Sequence, residues 1–189
     1  DGTKANTGDL NQSQYGFAIG GPLVKDKLFF FANLELENRS DLGSYFLPSG
    51  AGSSGSNVSR VLASDMQQVS NLLKQKFGYE TGAISDFKHE ANNSKGLLRL
   101  DYNISTKHKL SATYNFLDAF KDKPAHPSAI GRRGPDLLTL QFENSGYRIN
   151  NVIHSGIVEL KSILSTKLSN KLQAGLTSFR DSRDPFSSP

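Results

Sequence analysis

Apolar and polar side chains alternate along six segments of the chain. The clearest is residues 27–38, where leucine, phenylalanine and alanine fill the even positions from 28 to 36, and Asn33, Glu35 and Glu37 fall at odd positions. Successive side chains of a β-strand point to opposite sides, so each segment predicts a strand with one apolar and one polar face. The predicted strands span residues 12–21, 27–38, 96–104, 109–117, 147–164 and 171–180.

The connections between these strands alternate between short and long. Short turns at residues 23–26, 105–108 and 165–170 join the strands in pairs, and residues 39–95 and 118–146 connect the pairs. Strands of about ten residues with this rhythm are typical of transmembrane barrels. The sequence therefore predicts an all-β fold, with antiparallel strands forming part of a large transmembrane β-barrel.

The first long connection carries one helical pattern. Apolar residues recur at helical spacing from Val58 onwards, Asn57 fits an N-cap, and Gly78 fits a C-terminal stop. We expect an amphipathic helix over residues 57–77 in an outer loop, with its apolar stripe packed on neighbouring loops.

Composition narrows the possible chemistry. The chain has 189 residues, a net charge of +4 and no cysteine, which excludes disulfides and cysteine-bound metals. No apolar run approaches the roughly 20 residues of a membrane-spanning helix. The chain starts without Met and without a signal-peptide core, so we interpret it as a piece of a larger protein.

No motif of an enzyme or a cofactor site is present. The four histidines (His89, His108, His126 and His154) lack metal-ligand spacing. No nucleophile elbow, phosphate-binding loop or dinucleotide fingerprint occurs. The basic residues do not gather on one helix or alternate with exposed aromatics, which argues against nucleic-acid binding. We expect no enzymatic activity and no cofactor.

The polar faces of the predicted strands supply the candidate binding residues, because in a barrel they would line a wet lumen. These candidates are Asn33, Glu35, Glu37, Arg99, Asp101, Asn103, Ser111, Thr113, Asn115, Glu159 and Lys161. In the second long connection, Arg132 and Arg133 are candidates for contact with an anionic ligand. A wall or loop that is merely solvated is the alternative for each. Candidates for aromatics at the lipid interface are Tyr15, Phe17, Tyr102, Tyr114 and Phe116.

A motif in the first predicted hairpin resembles a known family. Gly20-Gly-Pro-Leu-Val-Lys-Asp-Lys-Leu-Phe-Phe-Phe31, followed by Glu37 and Arg39, resembles the early barrel of TonB-dependent outer-membrane receptors. The nearest branch is the Oar-like receptors, which bear a carboxypeptidase-regulatory domain. Residues 98–116 and 158–183 resemble the next two hairpins of that family, in the same order.

The resemblance implies a receptor in the outer membrane of a Gram-negative bacterium. Such a receptor takes up a nutrient with energy transmitted through TonB, and does no covalent chemistry. The implied partners are outer-membrane lipid, the plug domain of the same protein, TonB through parts outside this chain, and an unidentified nutrient. Two alternatives stay open: a soluble β-sandwich or lectin-like binding module, and a surface adhesin or secretion-linked barrel without transport.

Overall fold

The computed structural model describes residues 10–50, 52–125 and 135–187 of the chain. Its main elements are eight strands, an α-helix and a short 3-10 helix. In chain order these are β1 (Asn11–Val24), β2 (Leu28–Leu42), β3 (Leu47–Ser49), β4 (Val58–Leu62), α1 (Ala63–Phe77), β5 (Lys88–Asn103), β6 (His108–Lys123), the 3-10 helix (Glu143–Ser145), β7 (Tyr147–Ser165) and β8 (Leu168–Pro185).

Six of the strands form one antiparallel sheet in the order β1-β2-β5-β6-β7-β8. Within the described residues the other sheet is the parallel pair β3–β4, which is too small to cover a face of six strands. The expected antiparallel all-β fold is confirmed. The alternative of a two-sheet sandwich is wrong, because no second layer of strands among the described residues covers either face.

Short turns connect the strands at one end of the sheet, which we call the short-turn end. The first turn is held by the Lys27 amide, which donates to the Val24 carbonyl at 3.0 Å, and Asp26 adopts a φ of 61°. In the second, the Ser105 hydroxyl accepts hydrogen bonds from the amides of Lys107 and His108. Residues 43–87 and 124–146 connect strands at the opposite end, the long-connection end.

The strands extend beyond their predicted ranges, mainly toward the long-connection end. The largest difference is in β5, which begins at Lys88 although the alternation of apolar residues begins only near residue 96. Residues 88–95 are mostly polar, yet they pair with the end of β2, and residues 91–95 also pair with β6. The backbone ladder therefore continues where the apolar pattern has already stopped.

The helix begins later than predicted. Residues 58–62 form β4, and α1 starts at Ala63 with Leu62 as its N-cap and no side-chain capping bond. Asn57 does not cap the helix, because its side chain donates to the Tyr45 carbonyl at 2.8 Å. Gly78 does end it, in the left-handed conformation at φ 66°, as glycine at this position commonly does.

Cross-strand pairing places the apolar residues on one face, which we call the apolar face, and leaves them half-buried or exposed. Leu34, for example, pairs with Phe17 and with Gly96, and directly paired residues lie on the same side of a sheet. These residues form a band across all six strands: Tyr15, Phe17, Ile19, Leu28, Phe30, Ala32, Leu34, Leu36, Leu98, Leu100, Tyr102, Leu110, Ala112, Tyr114, Phe116, Val158, Leu160, Leu172, Ala174 and Leu176.

The buried apolar side chains lie outside this band. Among the described residues they are Met66 of α1 and Phe87, which immediately precedes β5. Phe87 packs over Gly43, where any side-chain carbon would overlap its ring. The small hydrophobic core thus belongs to the long connections, and the sheet has none of its own.

The two long connections pack against each other. The amides of Glu143 and Asn144 donate to the carbonyls of Ala83 and Thr81, each at 3.0 Å, and the Tyr79 hydroxyl donates to the Asn144 carbonyl at 3.1 Å. Farther along, the Arg60 amide donates to the Leu137 carbonyl at 2.8 Å. We call these docked segments, residues 79–83 and 143–144 together with Arg60 and Leu137, the loop cap.

A buried ion pair ties three strands together near the long-connection end. Asp122 of β6 is only 6 % exposed and accepts from Arg148 of β7 at 2.7 and 3.1 Å. The Glu90 amide of β5 donates to the same carboxylate at 3.0 Å. The Arg148 guanidinium also lies 3.8 Å from the centre of the Phe120 ring, a favourable cation–π geometry.

Asp122→Asn should destabilise this end of the sheet, because it removes the close charge partner of Arg148 and leaves only Glu90, at 4.0 Å. We expect a loss of roughly 1–3 kcal/mol, the cost of orphaning a largely buried hydrogen-bonded group. Urea unfolding of the full-length protein in liposomes would measure the loss. Asp118→Asn is the matched control: Asp118 lies on the same face of β6, is exposed, and forms no side-chain hydrogen bond or ion pair with another described residue. Equal effects of the two variants would contradict a role for the ion pair.

Candidate functional site

The polar face of the sheet brings the predicted binding residues together. Odd-numbered residues of β2, β5, β6, β7 and β8 share this face, as the register of every pair shows. Predicted residues on this face are Asn33, Glu35, Glu37, Arg99, Asp101, Asn103, Ser111, Thr113, Asn115, Glu159 and Lys161. Arg132 and Arg133 lie outside the described residues.

Two carboxylates of β2 link three neighbouring strands. Glu35 accepts from the Gln14 amide of β1 at 2.6 Å and forms an ion pair with Lys95 of β5. Glu37 accepts from Gln12 at 2.7 Å and also from Asn93 of β5 at 2.8 Å. Each carboxylate is therefore held from both sides, which fixes the position of its negative charge on the wall.

Other charged groups of the polar face pair along one strand or across to a neighbour. Arg99 donates to both oxygens of Asp101 at 2.7 Å, the planar two-bond geometry that suits a guanidinium. Glu159 is contacted by Lys161 at 3.1 Å and by Lys171 at 2.5 Å. Asn33 differs from these, since it is exposed and lies between Ala18 and Leu97 in the ladder.

The structure adds polar-face residues that were absent from the predicted set. Gln12 and Gln14 contact the predicted carboxylates of β2, while Asn93 and Lys95 lie just before the predicted start of the third strand. Extending the alternation backwards from Arg99 would have placed Lys95 on the polar face. The alternation already placed Lys171 on the polar face, but its contact with Glu159 depends on the register between β7 and β8.

The polar face also carries an apolar patch, which the alternation did not predict. Leu97, Leu117, Ile153, Ile157 and Phe179 lie on this face, with Leu117 paired to Ile153 and Ile153 paired to Phe179. The patch makes β7 apolar on both sides, so the alternation is weakest there. A surface of mixed character suits contact with another part of a protein better than contact with water alone.

His89 lies on the polar face at the long-connection end, nine positions before Leu98, where the band begins on β5. Its ring centre is 5.7 Å from that of Phe87 and 6.5 Å from that of Phe186. Burial lowers the pKa of His89, against the opposing pull of the Asp122 and Glu143 carboxylates. The neutral imidazole is thus favoured beside these two aromatic rings.

The apolar band has the dimensions of a membrane surface. Along β2 it runs from Leu28 to Leu36, which corresponds to roughly 30 Å of strand and, at a tilt near 40°, to roughly 23 Å of height. Tyr114, which shares a 2.7 Å hydrogen bond with His154 Nδ1, pairs with Leu98 in the middle of the band. Tyr102 lies near the short-turn end of the band, and Tyr15, which pairs with Leu36, lies near the other end. Phe17, another predicted interface aromatic, lies in the middle instead.

Beyond the band, toward the long connections, the same face becomes polar. Its residues there include Asn38, Asn92, Asp118, Asn150 and Arg180. Both faces of the sheet are hydrophilic at this height. The strands therefore continue past the region in which apolar side chains are favoured, which explains their extra length.

Neither a metal cluster nor a membrane-crossing helix is found in the part of the chain that the structure describes. No three or more His, Cys, Asp or Glu residues there are arranged to hold a metal ion. No helix there has the length and apolar character to cross a bilayer.

A meander of long antiparallel strands with an exposed apolar band on one face and paired charges on the other is the wall of a transmembrane β-barrel. The model of the outer membrane beta barrel domain family matches residues 1–189. The chain belongs to this family, and in such a barrel we expect the apolar face to meet lipid and the polar face to line the lumen. Searches of the curated proteins and of the solved structures each found no match to the chain.

A charge placed on the lipid face should interfere with membrane insertion far more than one placed on the lumen face. Leu98 is 47 % exposed at the centre of the band, while its neighbour Leu97 faces the lumen. We expect Leu98→Lys to cost roughly 2–4 kcal/mol of stability in a bilayer, and Leu97→Lys to cost much less. Unfolding of the full-length protein from liposomes measures both.

The absence of native cysteine in the chain allows an independent check of the faces. In the full-length protein, with any cysteine outside this chain replaced, Leu97→Cys should react with a water-soluble maleimide and Leu98→Cys should not. The opposite labelling pattern, or equal costs of the two lysine variants, would show that the faces are assigned wrongly.

Proposed function

We propose that this chain forms part of the barrel of a TonB-dependent, Oar-like receptor that takes up a nutrient across the outer membrane of a Gram-negative bacterium. Membership of the outer membrane beta barrel domain family supports the barrel. The resemblance of residues 20–31, with Glu37 and Arg39, supports the receptor class. In the structure those residues form the first hairpin, with Glu37 held between β1 and β5.

The observation that carries the proposal is that the wall's charges pair only locally. Every side-chain hydrogen bond and ion pair found between described polar-face residues of the six strands joins the same strand or adjacent strands. In a barrel of about eight strands the interior is filled by side chains. A wall whose charged groups find their partners on the same or the next strand needs no partner on the opposite side of the barrel. Such a wall is suited to a wide lumen that holds a plug.

The open sheet supports the same conclusion. Within the described residues β1 pairs only with β2, and β8 pairs only with β7, so each leaves one edge of its backbone unpaired. Unpaired backbone groups are not tolerated in lipid, so further strands must close the barrel. We assign these to the rest of a longer protein.

In this proposal the lumen wall acts by contact and not by covalent chemistry. The paired groups around Glu35, Glu37 and Glu159 give a fixed pattern of charge, and the apolar patch around Ile153 gives a surface for the plug. The loop cap stands where a nutrient would first arrive. Passage then follows rearrangement of the plug, which TonB drives through parts outside this chain.

Binding to TonB tests the proposal. Purified full-length protein in nanodiscs should bind the periplasmic domain of TonB from the same bacterium, and residues 1–189 alone, refolded in detergent, should not, because the contacting segment lies elsewhere. Cells lacking TonB should lose the growth advantage that the full-length protein gives on its nutrient. Absence of TonB binding together with TonB-independent growth would favour an adhesin or a secretion-linked barrel instead.

A further inference from the structure

Three lysines lie side by side on the lumen face near the short-turn end. Lys109 of β6 pairs with Lys161 of β7, which pairs with Lys171 of β8. Neighbouring strands are about 4.8 Å apart, so the three side chains leave the wall along a line about 10 Å long. We call Lys109, Lys161 and Lys171 the lysine row.

The lysine row has more positive charge than its surroundings neutralise. Glu159 contacts Lys161 and Lys171, whereas Lys109 forms no ion pair within the described residues. Three ammonium groups against one carboxylate leave an excess of two positive charges. Like charges directly opposite each other destabilise a sheet, so the wall carries an energetic cost here that a bound anion would remove.

A pocket of about 420 Å³ opens at the lysine row. Besides the three lysines it is lined by Lys107 from the second turn, and by Ser169 and Asn170 from the start of β8. On the lumen side, Lys107 adds one more cation and Ser169 adds a hydroxyl group, whereas the side chain of Asn170 belongs to the other face. Most of the surface that lines the pocket is apolar, and its polar groups on the lumen side are the lysine ammonium groups and the Ser169 hydroxyl. An excess of positive charge beside a hydroxyl donor is a candidate anion site.

The chemistry of the lining favours a phosphoryl group. Lysine acts as a compact point charge that binds phosphate, whereas planar carboxylate recognition usually uses the forked guanidinium of arginine. A phosphate monoester carries close to two negative charges at neutral pH, which matches the excess of the lysine row. We propose that the lysine row and its pocket bind a soluble phosphoryl anion inside the lumen.

A lipid headgroup is the other source of the same chemistry, and its position disfavours it. The lysine row lies on the face opposite the apolar band, so its ammonium groups point away from the bilayer. This inference uses the barrel fold and the lumen-facing side, and it does not depend on TonB. Its failure would therefore leave the proposed receptor function untouched.

The test is isothermal titration calorimetry at low ionic strength. Pyrophosphate is titrated into purified full-length protein in phosphatidylcholine nanodiscs. We expect saturable binding that weakens as salt is added. Lys109→Gln should weaken binding roughly fivefold to tenfold, since a charged hydrogen bond is lost, and Lys109→Arg should retain most of it. Lys121→Gln, on the same face of β6 but at the other end, should leave the affinity unchanged.

A second measurement separates binding from folding. Removing Lys109 relieves repulsion within the lysine row, so Lys109→Gln should make the unliganded protein more resistant to urea while it weakens pyrophosphate binding. A structural role would lower both. Absence of wild-type binding, or an equal effect of Lys121→Gln, would overturn the proposal. Loss of binding when phosphatidylglycerol replaces phosphatidylcholine would identify a lipid headgroup as the occupant and would also overturn it.

Discussion

The pairing of backbone hydrogen-bonding groups is the constraint on which this structure depends. Inside a bilayer no water is available to satisfy an amide or a carbonyl, so a strand is stable there only if both of its edges are paired. Residues 28–36 of β2, for example, are paired with β1 on one side and with β5 on the other. The side chains are then free to be apolar toward lipid and polar toward the lumen.

The same constraint explains where the polar interactions lie. Because we expect lipid to cover the apolar face from outside, the sheet needs no packed interior. The described apolar side chains of this face are half-buried or exposed, and Leu176 is the most exposed of them, at 79 %. Specific contacts are needed at two other places. The lumen wall uses them to fix charges such as that of Glu35, and the loop cap uses them to hold long connections against each other through residues such as Glu143.

Much of the fold could be predicted from the sequence because the alternation in a lipid-facing strand is a direct record of its surroundings. The even positions of residues 28–36 and their polar neighbours all lie on the expected faces. The signal ends where lipid ends, which is why residues 88–95 were not recognised as strand. Contacts such as that of Lys95 with Glu35, and the use of Asn57 to bind Tyr45 instead of capping α1, depend on register and loop packing. The alternation of apolar and polar residues in a single sequence carries no information about such contacts.

The strict neighbour-to-neighbour order of the sheet has a kinetic consequence. Three of its five pairings between neighbouring strands are connected by turns of a few residues, and closing a short loop costs little conformational entropy. Pairing of β2 with β5, and of β6 with β7, requires a much longer connecting segment to close into a loop. Hairpins should consequently form first as independent units, and the joining of one hairpin to the next should set the pace at which this wall assembles.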